Sequence, residues 1–222
     1  MNFIPYLPWL LLLLYIQPIQ SQSNIHTQLD TQFNNYDKHG CSGVSSIAYK
    51  YGNVELGWGP IGHSLSAYIA ESLLSVDASN ASRTILGSDV SLASISSWAD
   101  SIREHHEWHW TERLHYINTP DWVCDGYSVK RDCSDNVCVD QAIQNYTKQL
   151  MRYNSVDATD DSIVNSLKFI VHFLGDIHQP LHVGFTSDEG GNTICGHFDG
   201  THDKLHVCVW NKYCYAILWN LI

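Results

Sequence analysis

Positive charge is scarce in this 222-residue chain. Only 12 Lys and Arg stand against 23 Asp and Glu, a formal charge of −11 with His neutral. That balance excludes a non-specific duplex-DNA binder working through a basic face. It leaves room for a site that grips phosphate through metal ions, because bound cations invert the local field. A long apolar span is also lacking. The start, M-N-F-I-P-Y-L-P-W-L-L-L-L-L-Y-I-Q-P-I-Q-S-Q-S, has an apolar run too short to cross a bilayer comfortably, and no Lys or Arg precedes it. Residues 1–23 read as a secretory signal cut near Ser21 to Ser23, with an uncleaved anchor as the alternative. No convincing alternating strand and no internal repeat are visible.

Secretion makes disulfides expected. The seven cysteines are Cys41, Cys124, Cys133, Cys138, Cys195, Cys208 and Cys214. The number is odd, so at least one has no partner within the chain. Cys133 and Cys138 can close a small local loop. Their C-x4-C spacing also suits a metal site, but in a secreted chain the disulfide is the better reading. Sequons at Asn80 and Asn145 fit a glycosylated surface.

Histidine and tryptophan are what the chain has in plenty, 13 and eight respectively. Length suits one domain with a real core. Residues 24–57 are polar, with little periodicity, and read as a linker, a pro-segment or a stretch foreign to the domain. After Trp58, Leu65, Ile69, Leu73 and Leu74 recur at helical spacing. Segment 89–103 reads as a second helix with Leu92, Ile95 and Ala99 on one face, and 138–153 as a third. Segment 160–176 is the strongest. Its acidic start suits the helix dipole, and Ile163, Leu167, Ile170, Val171 and Leu174 form its buried stripe. The fold class is all-α.

The chemistry gathers in H-F-L-G-D-I-H-Q-P-L-H, residues 172–182. His172 and Asp176 are at i and i+4, so they share one helix face. Pro180 breaks the helix, and His182 follows beyond it. Any one of these histidines reads as a hydrogen-bonded core residue. The cluster reads as metal ligands, since imidazole nitrogen and carboxylate oxygen are the usual partners of catalytic zinc. His63 in W-G-P-I-G-H, placed just ahead of the first helix, Asp100 in W-A-D, His115 in R-L-H-Y-I-N-T-P and His206 in D-K-L-H are each weak signals alone.

Taken in order, these motifs resemble the S1/P1 nuclease family of secreted zinc enzymes. So do R-D-C-x4-C-V, A-I-x-N-Y-T-x-Q-L and G-G-N-T-I. The resemblance covers residues 58–206 and implies an all-helical domain, shared in type with zinc phospholipase C, around three zinc ions. It implies one zinc held by Asp100, His115 and His172. A second would be held by the N-terminal amine and carbonyl of Trp58 together with His63. Asp176 bridges these two, and His182 and His206 hold the third. His178 is not implied as a ligand. Two close zinc ions lower the pKa of a water between them, and Asp100 would orient it as the catalytic residue. Tyr116 and Asn118 fall where the family places a base-stacking aromatic and a base-edge reader, although Asp is usual at the second position. Plain core packing is the alternative for Tyr116. The implied substrates are single-stranded DNA and RNA, cut to leave 5′-phosphates, and 3′-phosphates of nucleotides. The implied state is a monomer without a stable protein partner.

Two departures stand out. Trp58 is internal, and a neutral amide is a poor zinc ligand. Either residues 24–57 are removed, or the segment is an error in the coding sequence, or that zinc site is weakened. After His206 the family continues to an Asp four residues on, the last ligand of the third zinc. Here that position is Trp210, and no Asp or Glu follows Asp203. Residues 207–222 therefore read as a non-family tail, a retained intron or premature end. The cysteine expected to pair with Cys124 is missing as well. A related zinc phospholipase C and an inactive truncated family member are the competing readings.

Overall fold

The computed structural model describes residues 59–207, apart from 122, 124, 125, 134, 154–156, 158, 199 and 200. The expected signal (residues 1–23), residues 24–57, Trp58, Cys124 and residues 208–222 lie outside the described residues. Among the described residues no helix is long and apolar enough to cross a membrane.

Among the described residues seven α-helices dominate: α1 (Pro60–Ser72), α2 (Val76–Leu86), α3 (Leu92–Ile95), α4 (Trp98–Ile102), α5 (Val129–Asp132), α6 (Val139–Leu150) and α7 (Asp161–Ile177). Two 3₁₀ helices, η1 (His106–Leu114) and η2 (Pro180–His182), flank the site. The all-α reading holds for this architecture.

Helix α7 is the axis of the fold, and α1, α2, α3, α4 and α6 all pack on it. It starts where Asp160 accepts the Ser162 amide at 2.8 Å, an N-cap of the expected kind. Its interior buries Ile163, Leu167, Phe169, Ile170 and Phe173. Phe169 stacks on Phe173 (5.3 Å) and on Tyr146 of α6 (4.5 Å). This aromatic column fixes the rotation of α7, and so the face on which His172 and Asp176 emerge.

Three expectations need correction. Segment 89–103 is two short helices, broken at Ser96 and Ser97. His63 lies inside the first turn of α1 rather than ahead of it. Short strands also exist. β1 (Ile117–Thr119) runs parallel to β2 (Val183–Phe185), with Asn118 opposite Gly184, and β3 (Cys195–Phe198) pairs antiparallel with β4 (Thr201–Lys204). At three or four residues each, these strands are too short to show alternation. The β1–β2 pair ties the segment after His115 to the segment after His182, and Thr119 Oγ1 reinforces it by donating to the Gly184 carbonyl at 3.1 Å. Helix α2 was not foreseen.

Cys133 and Cys138 form the expected disulfide, and Cys195 is also disulfide-bonded. Asn80 and Asn145 are both exposed, as glycosylation requires.

Candidate metal centre

Four donor atoms meet beside the last turns of α7. His115 Nδ1 lies 3.0 Å from Asp176 Oδ2 and 3.0 Å from His172 Nε2. His172 Nε2 lies 3.1 Å from Asp176 Oδ2. Asp100 Oδ1 completes the group at 3.7 Å from His115 Nδ1 and 3.5 Å from His172 Nε2. A tetrahedron with metal–ligand bonds of 2.0–2.1 Å has edges of about 3.3 Å, so these five separations match the edges of a four-coordinate shell. His172 Nδ1 is engaged with the Ser96 carbonyl at 2.6 Å, so Nε2 carries a hydrogen only when the ring is charged. Two imidazole nitrogens and a carboxylate oxygen facing one point are what a cation requires. The donor set fits a divalent metal.

The other oxygen of Asp176 looks into a second group. His63 Nε2 is 3.5 Å from Asp176 Oδ1 and 3.8 Å from Asp100 Oδ2. His182 Nδ1 is 3.1 Å from Asp176 Oδ1. One carboxylate thus serves both sides of the cluster, as a bridging ligand does. His63, His172 and Asp176 form one possible metal-holding group, and Asp100, His115 and His172 form another. All these side chains are buried except that of Asp100, which is 12% exposed. Oδ1 of Asp100, Oδ1 of Asp176 and Nε2 of His115 are buried without a hydrogen-bond partner. Such orphaned polar atoms call for an ion or water.

His182 and His206 stack with ring centroids 5.3 Å apart. Among the described residues they join no group of three donors. The Gly190 carbonyl accepts from His206 Nδ1 at 2.7 Å, and the Gln179 amide faces His206 Nε2 at 3.4 Å. The turn that aims this carbonyl needs three successive left-handed residues, Glu189, Gly190 and Gly191, at φ 53°, 63° and 81°. A Cβ on Gly190 would fall on the Leu181 carbonyl oxygen, so glycine is required there.

The electrostatics are those of imidazoles and carboxylates packed closely in a buried cluster. Burial alone would depress the His172 pKa, but the Asp176 and Asp100 carboxylates outweigh it and raise it to about 9. Burial pushes His63 well below its ordinary value and lowers His115. Burial and the neighbouring His182 push His206 down to about 4. Burial would raise the Asp176 pKa, yet His172 and His182 hold it well below the usual carboxylate range.

The structure thus brings His63, Asp100, His115, His172, Asp176 and His182 into one cluster, with His206 beside it. Trp58 lies outside the described residues. Tyr116 is half-buried and Asn118 exposed at the end where His115 leads into β1. His178 caps α7 by hydrogen-bonding the Leu174 carbonyl at 2.5 Å, in line with a non-ligand role. Sequence reasoning missed three contributors. Arg103 lies 3.4 Å from Asp100 Oδ1, and its position three residues on from Asp100 was the available signal. Gln179 is fully buried between the two histidine pairs. Gly175 lets His63 lie against α7, since a Cβ there would meet His63 Nδ1 at 2.7 Å.

Comparison with known proteins gives the family. Residues 58–217 match the S1/P1 Nuclease family model, a stretch that starts at Trp58 and runs past His206. Endonuclease 4 of Arabidopsis thaliana is 44% identical over 172 residues, which cover 72% of this chain and 56% of the relative. Nuclease P1 of Penicillium citrinum is 40% identical, over 70% of this chain and 57% of the relative. Nuclease S1 of Aspergillus oryzae is 34% identical, over 73% and 56%. The chain spans about half the length of the relatives it matches. With the matched stretch covering most of its length, the chain belongs to the S1/P1 nuclease family.

Proposed function

We propose that the protein is a secreted zinc-dependent nuclease that hydrolyses single-stranded DNA and RNA to 5′-phosphate products and removes 3′-phosphates from nucleotides. The near-tetrahedral meeting of Asp100, His115, His172 and Asp176 carries this reading, together with the relatives' names. Zinc suits a donor set of nitrogen and carboxylate oxygen. When bound, it supplies Lewis acidity and lowers the pKa of water at the site. His63, Asp100, His115, His172 and Asp176 would hold two ions, and His182 and His206 part of a third.

The chain's own residues supply orientation. Ser96 and Gly190 fix the tautomers of His172 and His206 by accepting from Nδ1, which leaves Nε2 facing the cluster. Asp100 is the ligand open to solvent, so its carboxylate is the one placed to accept a proton from an incoming water. Arg103, one-fifth exposed beside it, is placed to receive the substrate phosphate in the bidentate manner of a guanidinium. Tyr116 stacks on an unpaired base and Asn118 meets its edge. Duplex DNA offers neither an open base face nor an unpaired edge.

The disulfide of Cys133 and Cys138 suits an oxidising compartment, with residues 1–23 as the signal. The family match starting at Trp58 supports removal of the preceding residues, which would make its amine a ligand. N-terminal sequencing of secreted material tests that step.

The first experiment is to measure zinc content and hydrolysis of a single-stranded oligonucleotide on the secreted full chain. Two or more zinc per chain and 5′-phosphate products are expected. A metal-free, inert protein would sink the reading. Arg103→Gln is expected to raise KM for oligonucleotides by about 10-fold, a charge-assisted contact's worth, with zinc content unchanged. An unchanged KM would remove Arg103 from substrate binding.

A further inference from the structure

Side chains three residues apart eclipse one another on a 3₁₀ helix, so η1 presents three ridges. Trp108, Thr111 and Leu114 form the inward one. Thr111 and Leu114 are buried, and Trp108 meets the edge of Trp98 at 6.0 Å. Glu107, Trp110 and Arg113 form an outward ridge. Trp110 is 58% exposed and the Arg113 side chain 62% exposed. A core role would bury that indole, and nothing in the metal centre uses it. Nine residues is also long for a 3₁₀ run, since most stop at three or four.

The ridge leads into the candidate active site. Tyr116 follows Arg113 by three residues and stands next to His115, a member of the metal cluster. The charges of Glu112, Arg113, Arg103 and Glu189 all act on the Tyr116 hydroxyl, so two guanidinium groups lie within electrostatic reach of its ring. Aromatic and cation thus succeed one another at about 6 Å on η1, the rise of three 3₁₀ residues, and a second aromatic, Tyr116, follows just past its end.

We propose that Trp110 and Arg113 form a second subsite for single-stranded nucleic acid, which holds the strand where it leaves Tyr116 and the metal centre. The proposal rests on the nuclease reading above and extends it. Trp110 stacks toward Trp108 at 6.1 Å and is still 58% exposed, so it offers its outer side to a base, and Arg113 a cation for the phosphate between the two stacked bases. Trp110 precedes Tyr116 by six residues, the first four of which lie on η1, a gap that a few nucleotides at about 3.4 Å each cover. Arg113 now faces Asp135 at 4.0 Å. An exposed pair of this kind contributes little, so a phosphate can replace it. Glu107 and Glu112 flank the ridge and the chain's net charge is −11. Stacking, more than charge, must then carry the affinity, which restricts the subsite to unpaired strands.

The test is fluorescence anisotropy on the full chain with hydrolysis-resistant phosphorothioate oligo-dT of two and of ten nucleotides. The ten-mer is expected to bind more tightly than the dimer. Trp110→Ala is expected to weaken the ten-mer by about 10-fold, the loss of one stacked base, and to leave the dimer unchanged. Trp110→Tyr should restore most of the difference. Arg113→Gln should lower the slope of log affinity against log salt for the ten-mer by about one. Equal ten-mer affinities for wild type and both variants, with unchanged circular dichroism, would overturn the proposal. Because binding is read without turnover, a chain that binds by length through Trp110 and never cleaves would overturn the nuclease reading alone.

Discussion

Asp176→Asn is expected to strip the centre of metal and to lower hydrolysis of single-stranded DNA by about 10³-fold or more. No other residue touches so much of the cluster. Its Oδ2 faces His115 and His172, and its Oδ1 faces His63 and His182. Asparagine keeps the shape but offers one weak acceptor and no charge. Breaking a buried charged network by removing one partner costs about 3–5 kcal/mol, which at about 1.4 kcal/mol per decade gives two to three decades or more in affinity. The variant has a second signature. The carboxylates that hold a proton on His172 are reduced to Asp100 alone, so its pKa falls back from about 9. Elemental analysis of the purified variant checks the first effect and histidine NMR the second. A variant that kept its full metal content would show that the bridging geometry is incidental.

The second large effect is a change in how stability responds to pH when metal is removed. The His172 pKa stands at about 9 in the folded, metal-free protein against 6.5 for an ordinary histidine. A raised pKa contributes stability that is full below 6.5 and is lost as pH rises through about 9. The chelated protein should therefore weaken across that window, by on the order of 3 kcal/mol from this group. In the loaded protein a metal replaces the proton. Neither the folded nor the unfolded ring then carries a proton above 6.5, and this contribution is flat. The Tm gap between loaded and chelated protein should thus widen from pH 6.5 to 9. A gap that narrows would mean that the cluster does not exchange a proton for a metal. Below 6.5 both forms lose stability, because His63, His115 and His206 resist protonation when folded.

The clustered donors were legible because their order and flanking residues form long motifs, and because His172 and Asp176 needed only helical spacing to converge. The supports were not. Segment 89–103 has continuous helical spacing, yet the structure breaks it at Ser96. In an unbroken helix the Ser96 carbonyl would be committed to residue 100. The break turns it to His172 instead, so the local rule fails where the site needs it to. Helix α2 was missed for a different reason. Only Ala78 and Ile85 are buried on it, too few for a periodicity argument. Its ends were nevertheless marked, since Ser75 accepts from the Ala78 amide and Gly87 closes it at φ 102°. Gln179 acts through a contact with His206 across the fold that no spacing along the chain reveals, whereas Arg103 was marked by its place three residues after Asp100.

Gly175 has a consequence for how many ions the centre holds. Glycine inside a helix costs about 1 kcal/mol relative to alanine, and α7 carries one beside its key carboxylate. A Cβ there would stand 2.7 Å from His63 Nδ1 and 3.2 Å from Cε1. The hydrogen on Gly175 is therefore a spacer that sets how near α1 comes to α7. It sets in turn how near His63 comes to the outer oxygen of Asp176. Asp100, His115 and His172 are not carried by α1, although His172 stacks on His63 at 3.8 Å. Gly175→Ala should therefore act as a stoichiometry variant, leaving one shell of donors closed and prising the other open. Calorimetric zinc titration would then show one binding step fewer than the parent. A single methyl group would separate a one-ion hydrolase from a multi-ion one.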